Sequence, residues 1–191
     1  MNDWRERLKR LERLLKQTDP RTDISAYHDM PCAIFRYNPE DEFPFREELS
    51  LLQTRLSAAG KTVTRISLAK CLTEALEREG MSADRMAMAE RSAGVGKIID
   101  QIHKVLSDYC PLDELVAEHF PSDGDPTEDL IFITRAGALF PAYRTSALLE
   151  QLMGTVELPA VLFYPGRLEG AAGLKFMGIT DAEHNYRPKI F

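Results

Sequence analysis

Three arginines in the last third of the chain carry the clearest binding chemistry. Arg135 and Arg144 flank a segment in which an apolar, strand-like run passes into a helical pattern, and Arg167 follows the apolar run 160–164. A guanidinium beside a helix N-terminus can bind a carboxylate or a phosphate through paired hydrogen bonds. The same side chains would serve equally well in surface ion pairs with the many acids of the chain. Residue types alone leave both interpretations open.

The segment from Tyr164 to Arg167 is the second candidate for binding. Pro165 and Gly166 are typical of a turn, and we expect them to end the preceding strand and to leave Arg167 in a loop. A plain turn would explain the segment without any function. Tyrosine and arginine also dominate the energetics of protein–protein contacts, so a partner-binding loop is the alternative. The predicted partner-binding set is Arg135, Arg144, Tyr164, Pro165, Gly166 and Arg167.

The sequence contains no recognisable catalytic set. Residues 93–97 resemble a phosphate-binding loop only in part, because the first glycine and the hydroxyl residue after the lysine are missing. The acids at 40–42 could serve a metal or acid–base chemistry, but acids also suit the N-terminus of a helix. No histidine has a partner at metal-ligand spacing: His28, His103, His119 and His184 are isolated. We therefore expect no enzymatic activity, no metal and no cofactor.

Composition narrows the class of protein. The chain has 191 residues, 44% of them hydrophobic, and a formal net charge of −6, which suits a single domain spanning 1–191. An acidic chain is poorly suited to direct binding of DNA or RNA, since phosphate contacts need clustered Lys and Arg. Three widely separated cysteines, Cys32, Cys71 and Cys110, predict reduced core thiols. No signal-peptide core or membrane-spanning run is visible, so we expect a cytoplasmic protein without membrane contact.

The elements that must position these residues alternate between strand and helix. Apolar runs predict strands at 32–37, 61–68, 130–134, 160–164 and 174–177. Helical patterns cover 45–59, 68–79 and 144–153, with a helical insertion at about 81–120. An amphipathic N-terminal helix at 3–18 covers either its own core or a partner. The fold class is therefore α/β, a three-layer domain with a mainly parallel central sheet flanked by helices.

A series of motifs resembles the BrxB family of the BREX phage-defence systems of bacteria and archaea. The most specific part is Leu-Phe-Tyr-Pro-Gly, which ends at Gly166, followed by Leu174-Lys-Phe-Met-Gly178 and then by Asn185-Tyr-Arg187. The segment 132–144, the strand 33–37 before Asn-Pro, the amphipathic start and the total size are similar as well. The resemblance extends over the full length, with little signal in the middle helical region.

The resemblance implies a small, non-enzymatic component of a multi-protein defence complex. Such complexes include a PglZ-type phosphatase-like protein, a PglX-type adenine methyltransferase and a large ATPase. We expect an adaptor or scaffold that binds another component, with the PglZ-type protein as the leading choice. The alternative is a degenerate nucleotide- or phosphate-binding domain that uses Arg135, Arg144 or Arg167. A third hypothesis, direct DNA binding, conflicts with the acidic balance of the chain.

Overall fold

A central sheet organises the chain in the computed structural model, which describes residues 4–25, 31–170, 173–184, 186 and 188–191. The described residues form six strands, ordered β2-β3-β4-β1-β6 along the main path, and β5 lies off this path and pairs with β4. The pairs along the main path are parallel, whereas β4 and β5 are antiparallel. The strands are β1 Cys32–Tyr37, β2 Thr62–Ser67, β3 Asp129–Thr134, β4 Ala160–Glu169, β5 Gly173–Phe176 and β6 Lys189–Ile190.

Helices cover both faces of this sheet. They are α1 Trp4–Leu15, α2 Arg21–Ile24, α3 Glu42–Ser57, α4 Leu68–Arg78, α5 Ala83–Ala93, α6 Val95–Lys104, α7 Leu112–Ala117 and α8 Thr145–Gln151. Alternate strand residues enter different cores: Phe35 packs with α1 and α3, whereas Ile34 packs with α4, α7 and α8. Burial on both faces explains why the central strands are almost continuously apolar. The structure thus confirms an α/β domain with a mainly parallel central sheet.

The middle third forms the expected helical excursion between β2 and β3. It contains α5, α6, a π-helical turn at Val105–Tyr109 and α7. No residue of α5 or α6 is buried. Gly94, with φ of 84°, separates the two helices, so the glycine-rich segment 93–97 is a helix boundary and does not form a phosphate-binding loop after a strand.

Two sequence expectations changed at the ends of the chain. Helix α1 covers Trp4–Leu15 and therefore ends before the predicted end at residue 18, whereas residue 3 lies outside the described residues. Its apolar stripe packs against α3 and the sheet of its own domain. The short strand β6 was not predicted, because two residues give no periodicity. His28, Asn185 and Arg187 lie outside the described residues.

An aromatic cluster fixes α3 against the sheet. Phe45 stacks on Tyr37 with ring centroids 4.1 Å apart and contacts the ring of Trp4 at 5.1 Å. It also packs against Phe35 at 5.5 Å and Phe163 at 5.6 Å. One side chain of α3 therefore contacts α1, β1 and β4. This packing sets the position of the first turn of α3 relative to the ends of the strands.

Phe45→Ala should lower the free energy of unfolding by about 3–5 kcal/mol, since it leaves a large cavity at a side chain that is 1% exposed. Phe43→Ala is the matched control in the same helix. Its ring is 74% exposed, and its loss should change stability by no more than about 0.5 kcal/mol. Urea denaturation of both variants provides the measurement. Equal destabilisation by the two substitutions would contradict the described packing.

Candidate functional site

The carboxyl ends of the parallel strands define the edge at which an α/β sheet usually binds ligands. The chain leaves β1 for α3 on one face, and it leaves β3 for α8 on the opposite face. Strand β4 lies between β1 and β3. When the chain leaves two nearby strands on opposite faces of the sheet, a crevice opens at the carboxyl ends of these strands. In many α/β proteins the ligand binds in this crevice. In this chain the crevice would lie over the end of β4.

Strand β4 does not end at that point, which corrects the expectation that Pro165 and Gly166 terminate it. It continues to Glu169 and pairs with β5, from Gly166 opposite Phe176 to Glu169 opposite Gly173. The amide of Met177 donates to the carbonyl of Pro165 over 2.9 Å. The chain's own β4–β5 hairpin therefore extends beyond the carboxyl ends of β1 and β3, beside the position expected for the crevice.

The geometry of the strands explains why a proline is tolerated there. The amide of Ala160 donates to Pro31 on the β1 side, whereas Pro159 accepts from Ile131 on the β3 side. Because the backbone groups of successive residues in a strand point to opposite sides, the nitrogen of Pro165 points toward β3. Pairing with β3 has already ended at Leu162, so the missing N–H leaves no bond to β3 unmade.

Gly166 is required for a close approach rather than for a turn. A Cβ atom at this position would collide with the ring of Tyr164 and with the carbonyl oxygen of Lys175 on β5. The absence of a side chain lets β5 lie directly against β4. The Pro-Gly pair thus marks the place where β4 changes partner, which local sequence rules cannot distinguish from a turn.

The six predicted binding residues divide into a buried and an exposed group. Tyr164, Pro165 and Gly166 are buried within the domain. The three arginines lie at the surface, and each pairs with an acid: Arg167 with Glu40 at 2.6 Å, Arg135 with Glu42 at 3.4 Å, and Arg144 with Glu183 at 3.4 Å. The structure therefore contains the surface ion pairs that the sequence left as one alternative. Any contact with a partner at this set falls to the arginines.

Glu42 connects two of the strand ends. One carboxylate oxygen accepts a hydrogen bond from the hydroxyl of Tyr37, at the end of β1. The other oxygen pairs with Arg135, which follows β3 in a left-handed conformation with φ of 63°. Burial of Tyr37, and then its contact with Glu42, raises the pKa of this hydroxyl, so that it remains a donor. Arg135 and Arg167 are thus both held by the segment after β1, whereas Arg144 pairs with the C-terminal region.

Two further arginines at this end of the sheet escaped the sequence reasoning. The guanidinium of Arg65 on β2 contacts the hydroxyl of Ser50 at 3.3 Å. The guanidinium of Arg46 on α3 lies 5.9 Å from the ring of Phe43. Neither arginine pairs with a carboxylate in the ranges that the structure describes. Phe43 was the available signal, because it lies outside the apolar stripe of Leu49, Leu52 and Leu56.

Two kinds of reactive group, metal-ligand clusters and cysteine thiols, bear on catalysis by the described residues. They contain no group of three or more His, Cys, Asp or Glu side chains that could hold a metal ion. All three cysteines are free and buried. Burial raises the pKa of Cys32 to about 12 and that of Cys71 to about 11, which suppresses the nucleophilic thiolate. Of the helices described, none combines the length and the apolar character needed to cross a membrane.

Comparison with known proteins gives a consistent family assignment. The family model described as BREX protein BrxB matches residues 64–190. A curated relative from Bacillus cereus (strain H3081.97), named BREX protein BrxB, is 29% identical over 156 residues, which cover 81% of this chain and 79% of the relative. No solved structure matches the chain.

Gly166→Ala should destabilise the protein by about 1–3 kcal/mol, since the added methyl group forces β5 away from β4. Gly96→Ala is the control with the opposite expected sign. This glycine lies in α6, and a methyl group added there would meet no neighbouring atom within 4 Å, so alanine should raise stability by up to about 1 kcal/mol. Thermal melting of both variants tests the pairing. A Gly166→Ala protein that melts like wild type would contradict the close approach of β5.

Proposed function

Because the chain belongs to the BrxB family and therefore to the BREX phage-defence systems, we propose that it acts as a non-enzymatic adaptor that binds another component of the system. The PglZ-type phosphatase-like protein is the partner that we propose first. The methyltransferase and the ATPase of the system are further candidates. In this role the protein contributes a binding surface and no chemical step.

The β4–β5 hairpin is the observation that carries this proposal. It extends past the ends of β1 and β3, close to the position where a ligand would enter a sheet of this topology. A hairpin in this position would hinder the binding of a small substrate at the usual site. Exposed arginines and aromatic rings remain at the surface, and these side chains are typical anchors of protein–protein contacts.

A degenerate phosphate- or nucleotide-binding domain is the second candidate. Arg135 and Arg167 favour it, because both lie at the carboxyl edge of the sheet. Their ion pairs oppose it, since a phosphate would have to displace Glu42 or Glu40. Direct binding of DNA is a weaker hypothesis, because a net charge of −6 repels a polyanion.

Arg167→Glu should weaken co-purification of the tagged chain with the PglZ-type protein by more than tenfold, because truncation of a hot spot costs roughly 2 kcal/mol or more. Arg167 is exposed, so the melting temperature should match that of wild type. Arg13→Glu on α1 is the matched control and should retain the partner.

A second variant tests whether the partner is lost because Arg167 no longer contacts it or because the ion pair within the chain is broken. Combining Glu40→Arg with Arg167→Glu restores an opposite-charge pair within the chain. This double variant should still lose the partner if Arg167 itself contacts it. An Arg167→Glu protein that melts like wild type and keeps its partner at full yield would remove Arg167 from the interface.

The purified protein should show no hydrolysis of nucleotides, phosphoesters or DNA, and no methyl transfer. Assays with ATP, a chromogenic phosphodiester, duplex DNA and a labelled methyl donor provide the measurement. Turnover that disappears in Arg135→Ala or Arg167→Ala would overturn the adaptor proposal in favour of the phosphate-binding alternative. Met88→Ala, at an exposed position of α5, serves as the surface control and should leave any such turnover unchanged.

A further inference from the structure

Arg46 and Arg65 are two neighbouring positive charges that have no negative partner among the described residues. Within the described part of the chain, neither guanidinium forms an ion pair, although the sequence contains 30 acids and 24 Lys and Arg residues. Partial burial of Arg65, and then the charge of Arg46, lowers the pKa of the Arg65 guanidinium. Two like charges placed together are unfavourable in the free protein. An external carboxylate would relieve this repulsion.

The strand that carries Arg65 has an open edge. Strand β2 is at one end of the sheet, and among the described residues it pairs only with β3. The amide of Thr62 donates to the carbonyl of Glu128, next to β3. Because the backbone groups of successive strand residues point to opposite sides, those of Val63 and Arg65 point away from the sheet. The side chain of Gln53 covers the carbonyl of Val63 at 3.3 Å.

The backbone of Arg65 is therefore the uncovered part of this edge. Its N–H and C=O groups are available to another extended chain, because no described side chain or strand bonds to them. Unpaired edge strands bind extended segments readily through main-chain hydrogen bonds.

Helix α3 adds apolar surface beside this edge. Phe43 is 74% exposed and Leu51 is 55% exposed. Arg46 connects Phe43 to β2, since it lies over the ring of Phe43 and close enough to Arg65 to lower the pKa of that guanidinium. Exposed aromatic rings next to arginines are typical of interface hot spots.

We propose that the open edge of β2, together with Arg46, Arg65 and Phe43, binds an extended acidic segment of a partner protein by strand addition. The inference rests on the proposed adaptor function and names the surface and the chemistry of the bound segment. Alternate side chains of an added strand face α3, where carboxylates meet Arg46 and Arg65. The remaining alternate side chains face away from α3.

The surroundings favour an acidic protein segment over a nucleic acid. Glu42 and Glu47 lie on the same helix as Arg46, and they would repel a continuous row of phosphates. Tight binding of a nucleic acid requires several neutralised phosphates. An acidic segment needs only two well-placed carboxylates, and it gains backbone hydrogen bonds that a nucleic acid cannot provide.

Site-specific crosslinking tests this inference in the intact system. The full chain carries p-benzoylphenylalanine in place of Phe43 and is expressed with the complete set of BREX proteins. After irradiation, mass spectrometry identifies the crosslinked segment. We expect one segment of another BREX protein that contains at least two carboxylates.

Charge reversal provides the matched comparison. Arg46→Glu combined with Arg65→Glu should reduce the crosslink yield at least tenfold, with an unchanged melting temperature. Arg10→Glu combined with Arg13→Glu on α1 makes the same change in net charge on exposed residues and should leave the yield unchanged. Replacing the acids of the identified segment by Lys should restore the crosslink to the Arg46→Glu, Arg65→Glu protein.

The outcomes separate this inference from the adaptor proposal. If no BREX protein co-purifies with the wild-type chain, the adaptor proposal itself fails. If a partner co-purifies but position 43 gives no crosslink, the docking surface is wrong while the adaptor function stands. A crosslink to nucleic acid or to a segment without acids, or one that survives reversal of both arginines, also overturns the docking surface.

Discussion

Strand β4 pairs with different strands along its two halves, and the main features of the molecule follow from this double pairing. The first part of β4 lies between β1 and β3 in the parallel sheet, and its last part pairs with β5. Only a glycine at 166 permits the second pairing, because any side chain there would meet Tyr164 and β5. The consequence is chemical as well as geometric. The hairpin extends past the carboxyl ends of β1 and β3, beside the crevice that other sheets of this type use for a ligand, and we therefore propose that recognition takes place on the outer surface.

On that surface the distribution of acids decides which arginines can attract a partner. The segment after β1 supplies Glu40 and Glu42, which neutralise Arg167 and Arg135. Arg46 and Arg65 receive no such partner in the part of the chain that the structure describes. Arg135 and Arg167 must therefore exchange an internal acid for an external one before they can bind an anionic group. The unpaired arginines need no exchange at all, which is why they define the chemistry of the expected partner.

The sequence predicted the sheet well and the site only in part. Apolar runs located β1 to β4 within a few residues, because burial on both faces leaves a strong local signal. The Pro-Gly pair was wrongly interpreted as the end of β4, since its role depends on β5 and on the register with β3. The arginines were recognised by type, but their partners were not. Arg167 and Glu40 are separated by 127 positions, and no local pattern encodes such a contact. Arg65 was overlooked because an edge strand is defined only by the complete strand order.

Amide hydrogen exchange of the full chain, alone and saturated with the purified PglZ-type protein, tests most directly whether binding occurs at the surface and outside the strand-end crevice. We expect the amides of Val63 and Arg65 to exchange rapidly in the free protein and to slow down in the complex. The amides of the β4–β5 hairpin should be protected in both states, because they are already paired. Rapid exchange in the free hairpin, with protection by the partner confined to β4 and β5, would contradict binding at the surface and place the partner in the crevice.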